Sequence, residues 1–391
     1  MKRLRQIICV LSIVSRALAQ NWTAAGVPVE NWTSVAASAN GSNLVAVSGA
    51  PFGSGPIYSS RDSGATWTPT SAPNGPWGCV ASSADGSELI AGPVNSAIYT
   101  STNSGGTWAP TSAPNQWWSG IAASADGRKL VAVVYNGLIY TSTNSGATWT
   151  PTSVPSDFWE VPASSTDGTK LVAVAGDPFD AIAGPIYSST NSGVAWTKAN
   201  VPSHQWTSVA SSADGSKMVA VAYDGPIYAS TNSGATWTAT SAPTTNWNSI
   251  ASSADGRKLV AAALAPGFGG GPIYASTNSG ATWTKTSAPV QVWNCVASSA
   301  DGGTLAAAVY GGLVYTSQSI SAPVLNIGYS GNSVLLSWTV PSTTFVLQQS
   351  SDLSMNNWTD VTNVPTLNLA TLHNQVMLSP TLGLNFYRLN H

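Results

Sequence analysis

Charge is what this 391-residue chain has least of. Asp, Glu, Lys and Arg together make up 8% of it, with a formal net charge of -2, against roughly a quarter in typical domains. No basic stripe is available to neutralise phosphates, so nucleic acid and anionic membrane are poor partners. Histidine is scarce as well: His204, His373 and His391 are far apart, and no metal triad or Ser-His-Asp set is visible. Of three cysteines, Cys9 precedes the expected mature start. Cys79 and Cys295 fall at the same Trp-x-Cys-Val-Ala position of different repeats, which predicts separate buried thiols and not a disulfide. A chain of this length does not need such staples.

Long apolar runs are missing too. The stretch Ile7 to Val14 is shorter than the about 20 residues that cross a bilayer, so no transmembrane segment is expected. Lys2, Arg3 and Arg5 stand before it and Ala17-Leu18-Ala19 after it, which gives residues 1–19 the layout of a secretory signal peptide. Export, to the medium or the cell surface, is therefore expected.

What is present is repetition. The decamer Tyr140-Thr-Ser-Thr-Asn-Ser-Gly-Ala-Thr-Trp149 recurs, lightly edited, from Tyr58, Tyr99, Tyr187, Tyr228 and Tyr274, with a truncated copy at Tyr315. A period near 40 residues signals a repeat architecture. β-formers flank an Asn-Ser-Gly reversal, so each decamer reads as a hairpin: the amide oxygen accepts from the backbone and Gly adopts a positive φ without steric cost. The first copy carries Asp62 and the others Asn103, Asn144, Asn191, Asn232 and Asn278. An acceptor oxygen suffices there, which marks these as structural turn residues and not as metal ligands or acid catalysts.

The Ser-x-Asp/Asn-x-Gly-x-Thr-Trp pattern resembles the Asp-box, or BNR repeat, of sialidase-like β-propellers. Only Asp62 has the acidic form, and Ala195 replaces the Thr of the fourth copy. The resemblance spans about Asn21 to Ser317 and implies fold more than function, since Asp-box hairpins also occur in sortilin-type receptors, xyloglucan hydrolases and photosystem assembly factors. A sialidase would need three arginines around its ligand's carboxylate. Here Arg61 sits in a decamer, Arg128 and Arg257 follow Asp-Gly turns, and Arg388 lies in the tail, so that activity is not expected.

Between the hairpins a second turn recurs at Asn40-Gly41, Asp85-Gly86, Asp126-Gly127, Asp167-Gly168, Asp214-Gly215, Asp255-Gly256 and Asp301-Gly302, which counts seven repeats. Each repeat holds four strands: Trp-x-x-Val-Ala, Leu-Val-Ala-Val, Pro-Ile-Tyr-x-Ser and Thr-Trp-Thr. The seventh stops one strand short, while the chain opens with Asn21-Trp22-Thr23-Ala24, a fourth strand without its repeat. The expected fold is thus all-β: a seven-bladed propeller over residues 20–320, closed by the N-terminal strand. From residue 321 to 391 the turn motifs vanish and short strands with Pro- and Asn-rich connections suggest a small C-terminal β-sandwich, resembling a fibronectin type III-like domain appended to secreted bacterial proteins.

Insertions between second and third strands fall at Gly49–Gly55, Gly176–Gly184 and Ala265–Gly271. In a propeller these loops share a face with the blade-to-blade connections. Two groups of residues there could act. Asp157, Glu160, Asp177, Asp180 and Asp224 are candidate catalytic acids for a glycoside hydrolase, which needs two carboxyls about 5 to 10 Å apart; they could instead hold Ca²⁺ or simply be solvated. The aromatics Trp117, Trp118, Phe158, Trp159, Trp206 and Trp247 are candidate binding residues, against the alternative that a Trp opening each blade fills the wedge between blades. The sequence favours a monomeric, non-catalytic protein without a cofactor that binds a glycan or an extracellular protein. A hydrolase and a purely structural scaffold are the alternatives.

Overall fold

The computed structural model describes residues 8–10, 21–51, 53–318, 325–330, 333–339, 346–351, 358–368, 373–378 and 385–390. Two compact units divide the chain: Ala19–Ser319, and Ile320–His391 together with Met1–Leu18. The described residues form strands and turns only, so no helix among them is long and apolar enough to cross a membrane.

The first unit is a ring of seven four-stranded antiparallel blades. Blade 1 consists of Glu30–Ala37, Leu44–Ser48, Ile57–Ser60 and Thr68–Pro69. Blade 7 contributes Trp293–Ser298, Thr304–Gly312 and Val314–Gln318, and takes its fourth strand from Asn21–Ala24, with Trp22 opposite Ser317 and Ala24 opposite Tyr315. A circle of backbone hydrogen bonds of 2.7–2.9 Å links Ala39, Ala84, Ala125, Thr166, Ala213, Ala254 and Ala300, each amide donating to the next carbonyl and Ala300 returning to Ala39.

Second strands such as Leu171–Asp177 are buried along their whole length because both sides of each blade are covered. Leu171, Ala173 and Ala175 pack with Val131 and Val133 of blade 3, while Val172 and Val174 pack with Trp206 and Val209 of blade 5. The period-2 alternation therefore distributes side chains between two neighbours, and not between core and solvent.

Each first strand carries a β-bulge just after its tryptophan, at Thr33, Gly78, Ser119, Glu160, Thr207, Asn248 and Asn294. A bulge re-aims its side chain, and here it staples blades together. Thr33 Oγ1 donates to the Trp77 carbonyl at 2.8 Å, Ser119 Oγ to Trp159 at 2.6 Å, Thr207 Oγ1 to Trp247 at 2.9 Å, and Asn248 Nδ2 to Trp293 at 3.0 Å. Where Gly78 has nothing to donate, the neighbouring Cys79 Sγ reaches the Trp118 carbonyl at 3.6 Å. Cys79 and Cys295 are both free thiols, in different blades.

The decamers fold as hairpin turns with consecutive left-handed residues, for instance Ser145 at φ 55° and Gly146 at φ 84°. Asp62 Oδ1 accepts from the Thr66 amide at 2.8 Å, and its Oδ2 accepts from the Thr66 hydroxyl at 2.6 Å. Asn144 keeps the first bond at 2.8 Å and reverses the second, its Nδ2 donating to Thr148 Oγ1 at 2.9 Å. Asn191 keeps only the bond from the Ala195 amide, at 2.8 Å. This explains why amide and carboxylate alternate at one position.

In the second unit, one sheet orders Asn326–Ser330, Ser333–Thr339, His373–Leu378 and Thr366–Asn368. The other joins Thr359–Asp360, Val346–Ser350 and Asn385–Asn390, with Ile8–Val10 parallel to the last. Trp338, Leu336, Val376, Leu347 and Tyr387 form the shared core of a small sandwich.

Candidate functional site

In the propeller, the loops between second and third strands meet the connections that lead into the next blade, as in the bridges Gly137 to Asp157, Gly184 to His204 and Gly225 to Thr245. The decamer turns bond instead to the Asp-Gly turns, with the Ser145 amide on the Arg128 carbonyl at 2.9 Å. One face therefore carries variable loops and the other carries repeated turns.

The blade-opening tryptophans belong to the interior, which corrects part of the expected binding set. Trp118, Trp159, Trp206 and Trp247 are 0% exposed, as are Trp32 and Trp293, and Trp77 is 1%. Each meets the Tyr of its own third strand edge-on, with ring centroids 5.3 to 5.8 Å apart. Each also packs on the preceding blade, as Trp159 does on Val131, Val133 and Ile139. An indole filling that wedge has no face left for a ligand.

Trp117 and Phe158, which break the repeat, are half-buried on the loop face. Both pack on Tyr135, at 4.9 and 5.3 Å respectively. A second aromatic group was not legible beforehand. Phe268, from the blade 6 insertion, stacks between Phe179 of the blade 4 insertion, at 4.9 Å and 18°, and Tyr223 of blade 5, at 5.2 Å and 28°. Two inserted loops thus meet above the blade between them, and Phe179 remains 77% exposed. The sequence did hold a signal for this group, since each of those insertions carries one Phe. Phe268 takes φ 60°, which is unfavourable for a bulky residue.

The candidate acids separate into different roles. Asp177 is fully buried; Tyr135 donates its hydroxyl to Oδ2, and the amides of Phe179 and Asp180 donate to Oδ1 at 2.8 and 3.2 Å. It therefore ties the blade 4 insertion down. Glu160 keeps some exposed surface, yet burial of its carboxyl and then the nearby Asp177 charge raise its proton affinity well above the ordinary glutamate value. Burial, followed by the Asp177 hydrogen bond, likewise pushes the Tyr135 phenol up. At the bulge of blade 4, where five of the other blades place a side-chain donor, Glu160 can donate only when protonated.

Glu160, Asp177 and Tyr135 are thus brought together. Asp157 turns back on its own backbone, its Oδ1 accepting from the Phe158 amide at 2.8 Å. Asp180 is exposed at the loop surface. Asp224 is a left-handed turn residue at φ 51°, where Asn136 stands in blade 3 at φ 52° and Asn95 in blade 2 at φ 58°. Its charge is not needed for that turn. Among the described residues no three His, Cys, Asp or Glu side chains gather as a metal ion requires.

Basic residues of the propeller stand away from this face. Lys129, Lys170, Lys217 and Lys258 reach across to the Asp carbonyl of the next blade's Asp-Gly turn, at 2.8 to 2.9 Å. Arg128 and Arg257 belong to the same Asp-Gly turns, Arg61 sits in a decamer turn, and Lys198 and Lys285 lie on outer strands. The loop face carries Glu30, Asp157, Glu160, Asp177, Asp180 and Asp224 as its charged residues.

No protein-family model matches the chain, and no curated protein matches its sequence. Solved structures do resemble it. YCF48 from Cyanidioschyzon merolae superposes with a TM-score of 0.59 at 15% identity, over 76% of this chain and 98% of that one. YCF48 bound to D1 peptide gives 0.60 at 14%, over 78% and 98%. The GH74 xyloglucanase from Xanthomonas campestris gives 0.58 at 14%, over 82% of this chain and 59% of that one. At such identities the likeness is one of fold, and the fold it supports is the β-propeller.

Proposed function

We propose that this is an exported, non-catalytic binding protein that receives a glycan or an extracellular protein on the loop face of its propeller. The observation that carries this reading is the pair of partly exposed aromatic groups over blades 3 to 6, Trp117–Tyr135–Phe158 and Phe179–Phe268–Tyr223. Rings exposed together on a rigid scaffold can stack on sugars or on protein side chains. The same fold accommodates a peptide in one structural neighbour and belongs to a xyloglucanase in another.

One observation favours a second reading, glycoside hydrolysis. A carboxyl of raised proton affinity next to a second carboxyl is the pattern of an acid paired with a base or nucleophile, and Glu160 stands beside Asp177 in that way. Against it, Asp177 is wholly buried and already holds Tyr135 and two amides. Tryptophan fluorescence during titration with polysaccharides and peptides, with reducing-sugar release followed in parallel, separates the two. Quenching without release, lost in Trp117→Ala, supports the binding reading. Release abolished by Glu160→Gln would replace it with the hydrolase.

A further inference from the structure

We infer that the ligand of the loop face is a cationic, Lys- or Arg-bearing segment of a protein partner, an inference that rests on the binding reading above and narrows it. Charge is sorted between the two faces. The turn face uses its lysines internally as staples between blades, whereas the loop face has acids and no lysine or arginine among the described residues. His204 does not change that balance, because burial lowers its proton affinity and leaves it neutral at neutral pH.

The acids that remain free stand beside the exposed rings. Asp180 and Asp224, both exposed, follow Phe179 and Tyr223 in the chain, while Phe179, Phe268 and Tyr223 stack as one column that leaves Phe179 open to solvent. A guanidinium or ammonium group gains from both features, resting on a ring face while its charge meets a carboxylate. A neutral sugar could stack on the rings and donate its hydroxyls to the acids, but it carries no charge to balance a face whose charged residues are all acidic. An anionic ligand would be repelled, with no base on this face to receive it. Because rings and acids are spread over several blades, an extended segment fits them better than a single small cation.

The test uses the full chain and a short fluorescein-labelled peptide of alternating Arg and Gly, with fluorescence anisotropy as the readout. The expected result is binding that weakens about tenfold in Phe179→Ser and again in Asp180→Asn with Asp224→Asn, and that falls as salt rises. Arg128→Ser, on the opposite face, should leave it unchanged. These loop substitutions are at exposed positions, and circular dichroism confirms that the blades persist. Binding that ignores Phe179→Ser, or equal binding of a Glu-Gly peptide, overturns the inference. If the Arg-Gly peptide fails while a neutral glucan oligosaccharide quenches Trp117, the cationic assignment falls and the binding reading stands. If neither probe reports on the loop face, both fall.

Discussion

Asn294 Nδ2 donates to the carbonyl of Trp32 at 2.9 Å, which joins blade 7 to blade 1 across 262 positions of chain. It is the last of the bulge-position staples in chain order, and it bridges the seam between the first and last blades. Asn294→Ala should cost about 1 to 3 kcal/mol, the usual effect of leaving a buried carbonyl without its donor. Urea denaturation measures it; a loss no larger than that of an exposed Asn→Ala control would show that the staple contributes nothing.

Removing Asn21–Ala24 bares the backbone edge of Val314–Gln318 and strips Trp22 from Trp293, whose rings lie 6.2 Å apart. An open edge seeks another strand. The shortened chain should melt earlier and self-associate in sedimentation experiments, and a monomer of unchanged Tm would refute the closure.

Trp117 and Trp118 are chain neighbours with opposite fates. Trp118→Ala empties a fully buried site and should cost about 3 to 5 kcal/mol. Trp117→Ala should leave the melting curve nearly unchanged while removing the ligand-dependent fluorescence. Equal destabilisation by both would place Trp117 in the core as well.

Hydrogen bonds to the ionised carboxyls set the acid limb. The Thr66 hydroxyl and amide, with Ser60, hold Asp62 at about 2, and Ser83 followed by Ser87 hold Asp85 there too, against 3.8 for a free aspartate. Between those values the unfolded chain binds more protons than the folded one, so stability falls as pH drops from about 4 to about 2. Asp62→Asn should flatten this limb and still fold, because Asn fills the same position in the other decamers. A steeper acid limb in the variant would contradict the account.

Glu160 works in the other direction. Its raised proton affinity, from burial and then from Asp177, means that the folded state keeps a proton which the unfolded state releases above about 4.5, so its ionisation erodes stability as pH rises from there. Glu160→Gln carries its donor permanently. It should be more stable than the parent at neutral and alkaline pH and should lose that dependence, as thermal melts across pH will show.

Much of the fold could be read before any coordinates, because its devices are local. Asn-Ser-Gly and Asp-Gly turns are fixed by a few adjacent residues, the second-strand runs advertise burial on both sides, and the spare strand at Asn21–Ala24 matched the gap after Val314–Gln318. The candidate site was less legible. Trp118, Trp159, Trp206 and Trp247 repeat with the blades because they pack, whereas Trp117 and Phe158 break the repeat and remain at the surface. Within this one chain, departure from the repeat was the better sign of function.

By itself the sequence determined the closed ring, the turn chemistry and the sorting of variable loops from repeated turns, since each follows from residues close in the chain or from a count of repeats. Tertiary structure alone decided which of two adjacent indoles faces inward, that Asp177 is consumed by Tyr135 and its own loop, and that Phe179 and Phe268 meet above Tyr223. Those outcomes depend on how blades turn against one another around the ring, and no local pattern encodes that angle.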